Sequence, residues 1–107
     1  MSTAHQDLAG GRWLELSLAA QLGNIGSEYE RALKWRQQND PRFQNAFDRF
    51  LELLDLTISS ANLTLSRRRE LLRLRETACA ELTQMTDNPT NLSSYFYLFA
   101  LLARRAV

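Results

Sequence analysis

The stretch at residues 39–58 reads NDPRFQNAFDRFLELLDLTI. Asp40 is a capping residue type, and Pro41, which has no N–H to lose, suits the first helical position. Phe43, Phe47, Phe50, Leu51, Leu54 and Ile58 then recur at helical spacing. The pattern predicts a helix from about Pro41 to Ser59 with these side chains inward. Phenylalanines sharing one face read as core rather than as a cofactor box.

Working upstream, Ser17 is the expected N-cap of a helix from about Leu18 to Gln38. Its apolar stripe is Leu18, Leu22, Ile25, Tyr29, Ala32 and Leu33. Gly23 and Gly26 share a side with Ala19, and each glycine costs roughly 1 kcal/mol against alanine in a helix. Their expected use is close approach of a neighbouring helix. Downstream, SSANLT at 59–64 breaks the pattern. A third helix is expected from about Leu65 to Met85, with Leu71, Leu72, Leu74, Ala78, Cys79 and Leu82 inward. TDNPTN at 86–91 is the next loop, and a last helix runs from about Leu92 to Arg105. Short connections make successive helices antiparallel neighbours. The expected fold is all-α, an up-and-down four-helix bundle. Residues 1–12 read as a flexible leader and 13–107 as one domain.

Composition narrows the function classes. The chain has 107 residues and a net charge of +1, too small to argue by itself for a nucleic-acid or membrane partner. Residues 1–66 hold six basic against eight acidic side chains, and residues 67–107 seven against four. Cys79 is the single cysteine, so no internal disulfide forms, and it reads as a buried thiol. The start MSTAHQDLAGG lacks the apolar core of a signal peptide. The apolar run Tyr95–Ala103 is about half of what a membrane-spanning helix needs. A cytoplasmic protein is expected. Two glycosylation-like triplets, starting at Asn62 and Asn91, read instead as capping segments before helices.

Recognisable reaction chemistry is missing from the sequence. His5, the only histidine, sits in the leader, which leaves no zinc spacing and no Glu-x-x-His pair for a di-iron bundle. Phosphate-loop, dinucleotide and nucleophile-elbow patterns do not occur. Glu28, Asp48, Glu52 and Asp55 read as solvated helix carboxylates. We therefore expect no catalytic residues, metal, cofactor or small-molecule substrate.

Two features remain. SRRRELLRLRE at 66–76 places Arg67, Arg68, Arg69, Arg73 and Arg75 at the start and middle of the third helix. Arginines near a helix N-terminus oppose the macrodipole. Arg68 and Arg75 project towards the apolar seam, where a cation wants a carboxylate or an anion. An internal pair of Arg75 with Asp55 or Glu52 is the favoured reading. The arginines, with Arg104 and Arg105, are also candidates for nucleic-acid or other anion contact. The second feature is surplus hydrophobicity in the last helix. Leu92, Phe96, Phe99 and Ala103 make one stripe that closes the bundle, which leaves Tyr95, Tyr97, Leu98, Leu101 and Leu102 over. Such a surplus marks a second contact surface. Another copy of the chain is its expected cover, and a different protein the runner-up.

The run LAAQLGNIGSEYERALKWRQQNDPRFQNAFDRFLELLDLTI, with the closing YFYLFALLARR, resembles small uncharacterised prokaryotic four-helix-bundle proteins. That resemblance covers nearly all of the chain and implies no site. In length, helix count and basic patches the chain is also loosely similar to S23-type bundles, which include accessory proteins of diversity-generating retroelements. Those assemble into rings that bind nucleic acid and a polymerase. Helical nuclease-like bundles carry an Arg-x4–6-His signature that this sequence lacks. The expectation is a non-enzymatic, homo-oligomeric interaction module that docks a protein partner. The alternative is a nucleic-acid-binding accessory protein using the Arg67–Arg75 cluster.

Overall fold

The computed structural model describes residues 11–83 and 92–105. The leader up to residue 10, the 86–91 loop and the expected end of the third helix at Met85 lie outside the described residues. All regular structure within them is helical: α1 (Trp13–Glu15), α2 (Leu18–Gln37), α3 (Arg42–Ile58), α4 (Leu65–Thr83) and α5 (Leu92–Arg105). The fold is all-α. No helix among the described residues is long and apolar enough to cross a membrane.

Local chemistry explains the boundaries. The Ser17 hydroxyl accepts from the Ala20 N–H at 3.1 Å, capping α2 as expected. At its other end Asn39 adopts a left-handed φ of 54°. The Asp40 N–H then reaches the Trp35 carbonyl at 2.8 Å and the Asn39 N–H that of Arg36 at 3.1 Å. This is a Schellman stop with asparagine in glycine's usual place. Asp40 at once begins the next helix, its carboxylate accepting from the Arg42 N–H at 2.9 Å. The Arg42 side chain binds the same carboxylate and stacks 3.6 Å above the Trp35 ring. That hydrogen bond, with the backbone one, lowers the Asp40 pKa to about 2. Thr64 caps α4 by accepting from the Arg67 N–H.

Packing centres on α2, which lies closest to α3 and α5, while α4 rests on α3 and more lightly on α2. Tyr29, Phe50 and Phe96 meet in the middle with ring centroids 5.5–6.2 Å apart. The glycines serve the approach of α5. A β-carbon on Gly23 would sit 3.1 Å from the Ala100 Cα, and one on Gly26 only 2.9 Å from the Phe96 Cγ.

Three expectations need correction. First, the described residues include a fifth helix, the short α1. It exists because Trp13 is buried and donates to the Thr57 hydroxyl at 3.1 Å. Thr57 donates to Gln21 at 2.8 Å, and the Gln21 amide returns to the carbonyls of Trp13 and Leu16. That circuit satisfies its buried polar groups and ties α1 to α2 and α3. Second, α3 is turned from its expected face. Ala46, Phe50, Leu53, Leu54 and Thr57 are buried, while Phe43, Phe47, Leu51 and Ile58 flank them. Third, Leu72 on α4 is 46% exposed and Cys79 only partly buried. The seam is Leu71, Leu74, Ala78 and Leu82, and Leu72 lies about 100° round the helix from Leu71.

Candidate functional site

The arginine cluster divides by what each side chain touches. Arg67 donates to Glu70 at 2.6 Å and lies 5.6 Å from the Phe99 ring. Glu70 also accepts from the Tyr95 hydroxyl at 2.7 Å, which joins α4 to α5. Burial, reinforced by that bond, pushes the Tyr95 pKa up. Burial alone would raise Glu70 as well, but the hydrogen bonds from Tyr95 and Arg67 outweigh it and hold the carboxyl below its usual value. Arg68 reaches back to the carbonyls of Ile58 at 2.9 Å and Ser60 at 2.7 Å. It therefore closes the C-terminal end of α3, where a cation also suits the dipole. Arg75 grips Asp55 with two bonds, at 2.8 and 3.3 Å. The expected pair is thus formed, but its side chains are 35% and 53% exposed, so it is a surface pair and not a buried one.

Arg69 and Arg73 stand one turn apart on the outward side of α4, exposed and without an ion pair among the described residues. Arg104 and Arg105 are likewise exposed in the last turn of α5. The seven arginines do not form one patch. Three are turned to the fold, and the others occupy two separate helices.

On α5 the leftover side chains also divide. Tyr95 is turned inward on Glu70, and Leu101 is partly buried. Tyr97, Leu98 and Leu102 are 59%, 60% and 51% exposed. With Leu101 they form an apolar ridge on the side of α5 away from Phe96. Beside it lies a groove of about 450 Å³ between α2 and α5, floored by Gly23, Ser27 and Ala100, with Glu30 and Arg104 also lining it.

Sequence reading missed the buried polar pairs. Tyr29 donates to Glu81 at 2.8 Å, and Arg36 donates to the Glu81 backbone carbonyl. Burial, then the Glu81 bond, raises the Tyr29 pKa. A signal was available, because Glu81 lies three residues after Ala78 and seven after Leu74, on the seam of α4. Glu28, expected as a solvated carboxylate, is instead buried, because it binds Arg31 at 2.6 Å and approaches Arg49 of α3 at 3.9 Å. These groups tie helices together, and none opens into the groove beside α5.

No protein-family model matches the chain, and no curated protein or solved structure does.

Proposed function

We propose that this chain is a non-enzymatic interaction module of the cytoplasm, an up-and-down four-helix bundle of α2 to α5. It assembles with copies of itself through the outer face of α5 and docks a protein partner. The bundle reading is supported by the tight α2–α3 turn, the flanking of α2 by α3 and α5, and the seat of α4 on α3. The interaction reading rests on one observation, the exposed ridge of Tyr97, Leu98 and Leu102. Burying one such side chain is worth about 1.5–3 kcal/mol, and symmetry doubles the set. The sum is on the order of 10 kcal/mol, comparable to the cost of association.

Light scattering tests the reading. The wild-type protein is expected to run above the mass of one chain. Leu98→Glu with Leu102→Glu is expected to reduce it to one chain with helicity retained. A wild-type monomer at about 100 µM would remove the homo-oligomer and leave a different protein as the cover.

The nucleic-acid alternative now rests on Arg69, Arg73, Arg104 and Arg105. If they bind phosphates, affinity falls steeply with salt and is lost on reversing Arg69 and Arg73. Absence of binding to RNA or DNA at low salt would end it.

A further inference from the structure

The groove beside the exposed face of α5 has opposite charges at its two ends. The direction of packing fixes where they stand. Gly26 meets Phe96 and Gly23 meets Ala100, so α2 and α5 run antiparallel. Glu30 lies one turn past Gly26, level with Leu92, while Arg104 lies two turns past Phe96 the other way. At 1.5 Å per residue the two levels are roughly 18 Å apart along α5. Both side chains are exposed, both line the groove, and neither makes an ion pair within the chain among the described residues.

We infer that α5 pairs antiparallel with α5 of a second copy, about a twofold axis near Leu98, so that Arg104 of each copy meets Glu30 of the other. This rests on the homo-oligomer reading above and adds its geometry. Leu98 is midway between the levels of Leu92 and Arg104, so reversal about it carries each charged end onto the opposite one. The same axis sets Leu98 of each copy against its counterpart at the centre of an isologous contact, and carries Leu101 and Leu102 to the levels of Tyr95 and Ser94 of the other helix. Parallel pairing would set Glu30 against Glu30 and Arg104 against Arg104, with like charges at both ends.

Charge reversal tests the geometry without touching the core. Glu30→Arg alone and Arg104→Glu alone each replace two symmetric attractions by repulsions. Each is expected to weaken self-association about tenfold at low salt. Combining both changes in one chain restores the pairs and is expected to return the dissociation constant to within about threefold of wild type. Sedimentation equilibrium reads the constants, and circular dichroism checks that helicity is kept. Single variants as tight as wild type, with their mixture tighter than either, would indicate parallel pairing and overturn the inference while the homo-oligomer stands. Self-association unchanged in every charge variant and in the mixture would also overturn it, again leaving the homo-oligomer. A monomeric wild type would remove both.

Discussion

Helices α4 and α5 both lie against the α2–α3 pair, but different forces hold them. The last helix is pressed close to α2 because Gly23 and Gly26 let the backbones approach, and Phe96 fills the space over Gly26. Its attachment is mainly dispersion and burial. The arginine helix stands further off. It buries Leu71, Leu74, Ala78 and Leu82 and is tied down by polar contacts at Ile58, Ser60, Asp55 and Tyr29. An arginine-rich helix is therefore not evidence of a charged binding face, since Arg67, Arg68 and Arg75 serve the fold. An apolar helix, conversely, can satisfy the core with one stripe and keep another outside.

The largest expected effect breaks the dry contact. Phe96→Ala removes the ring that meets Tyr29 and Phe50. Buried Phe→Ala changes cost about 3–5 kcal/mol, so chemical denaturation should show a loss of that size. A loss below about 1 kcal/mol would mean that α5 is not seated as described.

Next comes Gly26→Ala. The change gains roughly 1 kcal/mol of helix propensity, but the added carbon collides with Phe96, and overpacking costs about 1–3 kcal/mol. Net destabilisation is expected in a thermal melt, whereas Gly11→Ala meets nothing within 4 Å and should not lower it. A stabilised Gly26→Ala protein would contradict the close approach.

Arg75→Met sharpens the polar side of the comparison. The Asp55 pair is substantially exposed, and such pairs are worth about 0.2–1 kcal/mol. A buried pair would cost about 3–5 kcal/mol on losing one partner, so a large loss would show that this surface is covered in solution.

The smallest effect concerns acid. The folded pKa of Asp40 is lowered to about 2, below its unfolded value. Its contribution is therefore complete above the unfolded pKa and is lost as pH falls from about 5 to about 2. The melting difference between wild type and Asp40→Asn should shrink over that interval. A difference independent of pH would place the clasp elsewhere than on the carboxylate.

Legibility varied with the range of the physics involved. Ser17 and Asp40 could be read because capping is settled within a few residues. The Arg75–Asp55 pair could be read as one of two carboxylate partners for an arginine at the edge of the apolar seam, but the choice of Asp55 and the exposure of the pair depended on the neighbouring helix. Leu72 was misplaced because adjacent leucines on a helix cannot both take the centre of a seam. The Trp13–Thr57–Gln21 circuit left no trace, since its members are up to 44 residues apart and threonine resembles a surface residue.

Sequence alone determined that this chain is helical, where α2 to α5 begin, and that its last helix carries more apolar surface than one core needs. Periodicity, caps and glycine spacing act locally, so they survive without knowledge of the neighbours. Tertiary structure decided the rotation of α3, the creation of α1 and the occupation of the arginines. It also decided which of the surplus side chains remain outside: Tyr97, Leu98 and Leu102, while Tyr95 turns in to Glu70. Those outcomes depend on which polar groups find partners across helices, and burying a polar group is tolerable only where such a partner waits.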